Sequence, residues 1–264
     1  MSSPKKTMEE LVDDLRARRE QVMLGGGADR LAKHKEQGKL TARERVDALT
    51  DPGSFEEFGL FAQHRQVHFG MAGKDVPADG VVTGAASVDG RLIHLASQDF
   101  TVLGGSAGEV HSQKVADVME RSLHTGTPFV FINDSGGARA GGHRLALRLR
   151  PRLPRQRQAF RAVPQISLIC GPCAGGAAYS PRLTDFIIQT RRSQMFITRP
   201  QVIKQVTGEV ITAEALGGPD AHMGLSGVTH FIAEDDEAVL YLCRRVLSFL
   251  PSNNLEDASG AVRE

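Results

Sequence analysis

Apolar positions at helical spacing run through the highly charged first fifty residues. Residues 7 to 37 carry one apolar stripe, which predicts a helix that the glycines at positions 25 to 27 divide in two. The stripe consists of Leu11, Val12, Leu15 and Val22. Thr41 and Glu44 match a capping box that opens a short helix through Leu49. We therefore predict a helical arm over residues 1–50 and one core domain over residues 51–264.

Apolar runs and helical patterns alternate through the rest of the chain. The runs at residues 81–84 and 92–96 flank Asp89-Gly90, which predicts a hairpin. An amphipathic helix is predicted at 107–125, before Gly126, and a last helix at 235–250, capped by Asp235. Further strands are predicted at residues 128–133, 165–169, 194–198 and 228–233. Strands that alternate with helices predict an α/β fold with a mostly parallel sheet.

Two glycine pairs follow directly after predicted buried strands. Gly136-Gly137 comes after the strand at 128–133, and Gly175-Gly176 after the strand at 165–169. Glycine allows a ligand to approach the backbone, and a helix that starts there presents free N–H groups. Such groups can hold an oxyanion, for example a thioester enolate. Tight packing of strand against helix explains a glycine pair equally well from spacing alone.

Cys170-Gly171-Pro172-Cys173 matches the redox motif of thioredoxins. The chain is far longer than a thioredoxin domain, and no second CxxC pair completes a metal site. We therefore interpret these cysteines as small buried thiols, and we predict no metal site.

Residues 104–108 match the GxSxG pattern of serine hydrolases around Ser106, with Asp185 and His222 following in the required order. The pattern is short and the apolar run before it is short for an elbow strand. We regard a hydrolase as the weaker interpretation.

The composition excludes several other classes of function. The net charge of +1, the absence of Trp and the two Tyr residues give no support to nucleic-acid binding. No secretory signal or membrane-spanning apolar run is evident, so we expect a cytoplasmic protein with reduced thiols and no membrane partner.

Eight short motifs, in order along almost the whole chain, resemble the β subunits of propionyl-CoA and related acyl-CoA carboxylases. The transcarboxylase large subunit and the methylmalonyl-CoA decarboxylase α chain belong to the same family. The motifs are GKLTARER (38–45), DGVVTG (79–84), SQDFT (97–101), NDSGGAR (133–139), VPQIS (163–167), GPCAGGA (171–177), FIT (196–198) and LPSNN (250–254).

This resemblance implies a crotonase-like ββα spiral that binds a short acyl-CoA and exchanges a carboxyl group with biotin on a partner carrier protein. It also implies a biotin carboxylase or biotin carrier subunit as a partner, and a homo-oligomer. The backbone of Gly175 and Gly176 would hold the thioester oxygen. The acyl-CoA would be lined by Gly104, Gly105, Gly136, Gly137, Ala138 and Arg139.

The first departure from the family pattern is length. Family members of this type carry a second, similar domain for biotin, and this sequence stops at Glu264, just past the LPSNN motif. We expect that domain, or a homologous chain, as a partner. Two alternatives remain: a truncated relative that binds CoA without catalysis, and a hydratase or isomerase. The latter would need positioned carboxylates, for which Asp99, Glu109 and Asp134 are the nearby acids.

The second departure is the segment at residues 140–162, which holds seven arginines from Arg144 to Arg161 and no acid. Pro151 and Pro154 are expected to interrupt any helix, and the segment to be poorly packed. Residues 142–146 can be encoded so that the next reading frame gives Gly-Ile-Ala-Ser-Leu, which resembles the family. We therefore predict a local frame shift over residues 140–162.

Overall fold

The structure, a computed structural model, describes residues 6–139 and 152–257, and it begins with the predicted helical arm. Helix α1 (Met8–Met23) opens with a capping box between Thr7 and Glu10, and α2 (Ala28–Glu36) follows the glycine break. The predicted apolar stripe of α1 is not buried within this chain, because Leu11 and Leu15 are 49% and 52% exposed.

Helix α3 (Ala42–Leu49) confirms the predicted capping box, with the Glu44 N–H donating to Thr41 Oγ1 at 3.2 Å. Its Val46 and Leu49 are buried in the main hydrophobic core. The boundary that we placed at residue 50 therefore does not separate arm from core, since α3 belongs to the core.

One twisted sheet forms the centre of the molecule. Its path runs β1-β2-β3-β4-β5-β6-β8, with β7 paired to β5. The β1–β2 and β2–β3 pairings are antiparallel, and the pairings from β3–β4 onward are parallel. The strands are β1 (Glu56–Phe58), β2 (Val81–Val88), β3 (Arg91–Gln98), β4 (Phe129–Ser135), β5 (Gln165–Ala174), β6 (Phe186–Thr190), β7 (Gln194–Phe196) and β8 (Phe231–Ala233).

The predicted hairpin is confirmed, because β2 and β3 pair through Val88 and Arg91 around the Asp89-Gly90 turn. Strands β1 and β6 were not predicted. β1 has only three residues, and the apolar run of β6 follows closely on a proline-containing turn.

Helices cover both faces of the sheet, as the α/β prediction requires. α4 (Glu109–Thr125) packs its Val115, Val118 and Met119 against one face and ends at Gly126, whose φ is 63°. α9 (Asp236–Phe249) packs with α3 on the other face, and the Asp235 side chain accepts the Ala238 N–H at its start, as predicted.

The segment at residues 140–162 differs from its prediction where the structure describes it; residues 140–151 lie outside the described residues. Helix α5 (Arg152–Ala159) forms in spite of Pro154, which sits in its first turn, where a missing N–H breaks no intrahelical bond. Gln156 and Ala159 are buried, and Arg155 forms an ion pair with Glu120 of α4 at 3.3 Å. The expectation of poor packing is therefore wrong for Gln156 and Ala159, whereas Arg157 and Arg161 are exposed as expected.

Short helices follow β5 and β7. They are α6 (Gly176–Tyr179), α7 (Pro200–Thr207) and α8 (Ala213–Gly217). Within residues 6–139 and 152–257, no helix has the length and apolar character needed to cross a membrane.

Candidate functional site

The two glycine turns meet at one edge of the sheet. β4 and β5 are parallel neighbours, and Ser135 at the end of β4 pairs with Cys173 near the end of β5. A Cβ atom on Gly137, whose φ is 107°, would lie 2.6 Å from the Ala174 carbonyl oxygen. Only glycine therefore allows the two turns to touch backbone to backbone at this point.

A third loop, residues 104–107, closes the same site from the other side. The Gly136 N–H donates to the Gly104 carbonyl at 2.8 Å, and the Ala107 N–H donates to the Gly137 carbonyl at 3.0 Å. A Cβ atom on Gly105 would lie 2.2 Å from the Asp134 carbonyl oxygen. Backbone contact thus joins this loop to the end of β4.

Arg139 stabilises these loops through its guanidinium. Its Nη1 donates to the Asp79 carboxylate at 2.7 Å, and its Nη2 donates to the Ser106 carbonyl at 2.9 Å. The Arg139 side chain is only 9% exposed. The Arg139 guanidinium therefore positions the turn, and the expectation that the turn at residues 136–139 lines the acyl-CoA stays a prediction.

The other predicted site residues form two groups, one buried and one partly exposed to solvent. Gly105 and Gly137 are buried between the loops, so they allow close packing. The backbone is partly open to solvent at Gly104, Gly136, Ala138, Gly175 and Gly176. These five positions line the open part of the site.

The N–H groups at the two turns are not equivalent. The Gly175 N–H donates to the Phe196 carbonyl at 3.0 Å, so it is not available to a ligand. Gly176 is the first residue of α6, and its N–H has no acceptor within the helix. Ala138 forms a parallel bridge with Ala107, in which the Ala107 N–H donates to the Gly137 carbonyl and the Arg139 N–H donates to the Ala107 carbonyl. The N–H of Ala138 itself therefore points away from Ala107.

A buried ionic cluster beneath the turns was missed by sequence reasoning. Arg45 of α3, which is fully buried, donates to Asp134 at 3.0 Å and to Asp236 of α9 at 2.8 Å. Lys39 also donates to Asp134, at 3.3 Å. Asp134 directly precedes the Ser135-Gly136 turn, so the cluster anchors that turn from below. The position of Asp134 inside a glycine-rich motif at a strand end was the available signal.

The two cysteines of the CxxC motif lie within β5, and both are buried. Three residues of extended strand span roughly 10 Å, more than the roughly 7 Å that a disulfide bridges. The odd spacing also places Cys170 and Cys173 in different core clusters. Burial raises the pKa of the Cys170 thiol well above its ordinary value. This geometry supports the interpretation of buried thiols and excludes a thioredoxin-type disulfide.

The serine-hydrolase pattern does not assemble into a triad. Ser106 donates to the Leu103 carbonyl at 2.7 Å. His222 contacts Ser226 and the Met195 carbonyl, and Asp185 accepts the backbone N–H of Gln165. Each of the three residues therefore has partners of its own.

The carboxylates that a hydratase would need are also engaged or distant. Asp134 is held in the buried cluster, and Asp99 accepts the Thr101 N–H at 2.9 Å. Glu109 lies exposed in the first turn of α4. Among the described residues, no group of three or more His, Cys, Asp or Glu side chains could hold a metal ion. Within the part of the chain that the structure describes, the turns therefore offer backbone donors and no free acid or base.

Comparison with known proteins agrees with this geometry. The methylmalonyl-CoA carboxyltransferase 12S subunit of Propionibacterium freudenreichii subsp. shermanii is 54% identical over 260 residues, which cover 96% of this chain and 48% of that protein. The propionyl-CoA carboxylase carboxyltransferase subunit of Haloferax mediterranei is 48% identical, with coverage of 95% and 49%. The chain thus spans about half the length of these relatives.

A solved structure and a family model agree with each other. The transcarboxylase 12S crystal structure, a hexamer with methylmalonyl-coenzyme A and methylmalonic acid bound, superimposes with a TM-score of 0.94 at 54% identity, over 97% of this chain and 50% of that one. The observed α/β architecture is the crotonase-like fold of such carboxyltransferases. Because the family model of the carboxyl transferase domain matches residues 33–263, the chain belongs to the carboxyl transferase domain family.

Proposed function

We propose that the chain is the acyl-CoA-binding half of a biotin-dependent carboxyltransferase that acts on a short acyl-CoA. Propionyl-CoA or acetyl-CoA would be the substrate, or methylmalonyl-CoA in the reverse direction. The observation that carries the proposal is the meeting of two glycine turns at the ends of β4 and β5, where Ala138 and Gly176 are partly exposed. The relatives that are named as carboxyltransferases favour an enzyme over a binding protein without catalysis.

In this proposal the thioester carbonyl oxygen accepts the N–H groups of Gly176 and Ala138. Removal of a proton from the α-carbon places negative charge on that oxygen, and fixed N–H donors stabilise the charge without having to reorganise. The expectation named Gly175 with Gly176, but the Gly175 N–H is used by Phe196. Ala138 is the better second donor because it lies in the opposite turn.

Biotin on a partner carrier protein would supply the carboxyl group and the base. The described residues offer no free carboxylate or histidine at the turns for that task, which fits a site whose proton acceptor arrives from outside the chain. This chain would hold and orient the thioester, and a second carboxyltransferase domain or homologous chain would hold biotin.

The surface beside the glycine turns is suited to such a partner. Ile197 and Val206 are 67% and 78% exposed, and α7 buries no residue within the chain. We propose that the second domain or homologous chain covers this apolar face. Its support is that the chain spans about half the length of its relatives.

Calorimetry with propionyl-CoA tests the proposed function. We expect the chain to bind propionyl-CoA and to show no carboxyl transfer alone with free biotin or a biotinylated carrier. Absence of binding would contradict the proposed site. Carboxyl transfer by the chain alone would contradict the proposal that a second domain or chain is needed to hold biotin.

A proline at position 176 tests the N–H donor specifically. Proline is favoured at the first position of a helix, and Gly175 at φ 59° and ψ −123° has the mirror image of the extended conformation that precedes proline. Gly176→Pro should weaken propionyl-CoA binding roughly fivefold to tenfold, the value of one hydrogen bond. Gly176→Ala keeps the N–H and is the control. Equal affinity of the two variants would remove Gly176 from the oxyanion site.

A further inference from the structure

A strained turn leads into β2. Ala78 and Asp79 have φ angles of 50° and 48°, a region that side chains other than glycine seldom adopt. Such a conformation persists only where the surrounding structure enforces it. Lys114 of α4 holds this turn, because its Nζ donates to the carbonyls of Ala78 and Val81 at 3.0 and 2.5 Å. The strain is therefore a fixed part of the fold, and it directs the Asp79 side chain toward α4.

The Asp79 carboxylate is completely buried, and its two oxygens have different partners. Oδ2 accepts the His111 N–H at 2.7 Å, in the first turn of α4. Gly108, which precedes α4, has no side chain that could cap the helix, so Asp79 caps it from another part of the chain. Oδ1 accepts Nη1 of Arg139 at 2.7 Å. One carboxylate thus joins the start of α4 to the end of the turn at residues 136–139.

Gly108 leaves the space that the ion pair occupies. A Cβ atom on Gly108 would lie 2.9 Å from both Arg139 Nη1 and Asp79 Oδ2. The φ of Gly108 is −96°, which other residues adopt readily, so the backbone does not require glycine. A serine or aspartate at this position would cap α4 more directly. The arrangement makes sense if the carboxylate must hold Arg139 as well as the helix.

Arg139 connects this carboxylate to the donor that is proposed for the thioester oxygen. Ala138 lies between Gly137, whose carbonyl accepts the Ala107 N–H, and Arg139, whose N–H donates to the Ala107 carbonyl at 3.0 Å. The guanidinium fixes the same end of the turn through Asp79. A donor fixed on both sides needs no reorganisation when charge develops on the oxygen. Loss of the ion pair would free one side and change the direction of the Ala138 N–H.

We propose that Asp79 is a positioning residue for the thioester site, which acts through Arg139 on the Ala138 N–H. The proposal rests on the proposed function, because the role of Ala138 as a donor is part of it. Asp79 is completely buried and does not touch the substrate. Its removal should therefore weaken the contact to the thioester oxygen and leave the contacts to the rest of the ligand unchanged.

The test measures the contribution of the thioester oxygen separately from the rest of the ligand. Propionyl-CoA is compared with S-propyl-CoA, a thioether in which a CH2 group replaces the thioester carbonyl. Calorimetry on the whole chain gives both dissociation constants, and the wild type should bind propionyl-CoA more tightly. Partial unfolding weakens both ligands equally and leaves the ratio of the constants unchanged. A misdirected donor lowers the ratio.

Asp79→Asn removes the charge with little change in size, and asparagine tolerates the left-handed conformation. Its amide NH2 group replaces one of the two accepting oxygens, so it cannot hold both His111 and Arg139 as the carboxylate does. The preference for propionyl-CoA over S-propyl-CoA should fall roughly fivefold to tenfold, the value of one hydrogen bond.

Asp51→Asn is the matched control. Asp51 also accepts two backbone N–H groups, from Asp89 and Gly90, and also pairs with an arginine, Arg244. It lies at the hairpin between β2 and β3, at the end of β2 opposite to Asp79. This variant should keep the wild-type preference for propionyl-CoA, even where its melting temperature falls.

Two further variants test whether the effect passes through Arg139. Gly108→Ala inserts a methyl group at the ion pair without a change of charge, and it should also lower the preference for propionyl-CoA. This variant decides the question if Asp79→Asn proves unfolded in its melting curve. Arg139→Gln should lower the preference as much as Asp79→Asn does. The double variant should lower it no further, because the two residues act in series.

Three results would overturn the proposal. If the wild type prefers propionyl-CoA and the Asp79 and Gly108 variants keep that preference, Asp79 only stabilises the fold and the proposed function stands. If the effects of Asp79→Asn and Arg139→Gln multiply in the double variant, Asp79 does not act through Arg139. If the wild type binds neither ligand, or binds both equally well, the proposed thioester site itself fails and the role of Asp79 fails with it.

Discussion

Gly105→Ala should separate the loop at residues 104–107 from the end of β4. Gly105 has a φ of 60°, and an alanine Cβ would lie 2.2 Å from the Asp134 carbonyl oxygen. Real Cβ atoms do not come within 3.0 Å of such an atom, so the loop must move by close to one ångström. Two hydrogen bonds depend on its present position: Gly136 N–H to the Gly104 carbonyl, and Ser135 Oγ to the Gly105 carbonyl, both at 2.8 Å.

The expected loss of stability follows from these contacts. Alanine in the left-handed region costs roughly 1–2 kcal/mol. Each of the two hydrogen bonds contributes about 1 kcal/mol. Gly105→Ala should therefore lower the free energy of unfolding by about 3–4 kcal/mol.

Gly104→Ala provides the matched control. Gly104 has a similar φ of 65°, but the atom nearest to an added Cβ is Phe100 Cε2 at 4.0 Å. This variant should pay only the conformational cost of roughly 1–2 kcal/mol. Urea unfolding followed by circular dichroism measures both variants against the wild type. If the two variants unfold at the same urea concentration, the close contact between this loop and β4 is not what requires glycine at position 105.

Four further predictions concern the core and the arginine-rich segment. Cys173→Ala should change propionyl-CoA binding little, and the thiols of β5 should react with Ellman's reagent only after unfolding; rapid reaction of the native chain would refute their burial. Arg45→Met should destabilise the fold by about 3–5 kcal/mol in urea unfolding, because it leaves the buried Asp236 without its cation and Asp134 with Lys39 alone; a loss below 1 kcal/mol would contradict the ionic anchor. Burial, and secondly the positive charge of Arg121, lower the pKa of His94 to about 4 in the folded state. The unfolded state, in which the pKa is about 6.5, therefore gains a proton at a higher pH than the folded state does. Stability should fall by up to roughly 3 kcal/mol between pH 6.5 and 4, and His94→Gln should remove that part of the pH dependence; an unchanged acid slope in the variant would refute it. Replacing residues 142–161 by the reading of the neighbouring frame, Gly-Ile-Ala-Ser-Leu-Ser-Gly-Tyr-Gly-Arg-Val-Phe-Arg-Ala-Asn-Val-Lys-Leu-Ser-Gly, should raise the melting temperature. An equal or lower midpoint would show that the arginine-rich segment belongs to the fold.

The parts of the site that follow strands were predictable from the sequence. Buried strands can be recognised in the sequence as apolar runs. Because parallel strands have their carboxyl ends at the same edge of the sheet, Gly136 and Gly176 could be expected to lie near each other. Which N–H group is free could not be predicted. It depends on the Phe196 carbonyl that accepts the Gly175 N–H, and Phe196 lies on β7, a separate strand.

Ion pairs between distant parts of the chain also could not be predicted from the sequence. The segment at residues 140–162 has no acid of its own, so its arginines were expected to stay in water. Arg155 instead pairs with Glu120, which α4 supplies from more than thirty positions earlier in the chain. The composition of one segment describes only the residues within that segment, whereas the partner of Arg155 comes from another helix that packs against it in the fold. Pro154 was misjudged for a related reason, because its effect depends on where the helix starts.

The cluster around Arg45 also sets an order of events during folding. Arg45 contacts Asp134 and Asp236 across separations of 89 and 191 residues. The entropy of closing such large loops makes contacts of this kind slow to form. During synthesis, α3 leaves the ribosome long before α9, so the Arg45 guanidinium lacks Asp236 until α9 has been made. The complete cluster, which supports the glycine site from below, therefore forms only after α9 has been made.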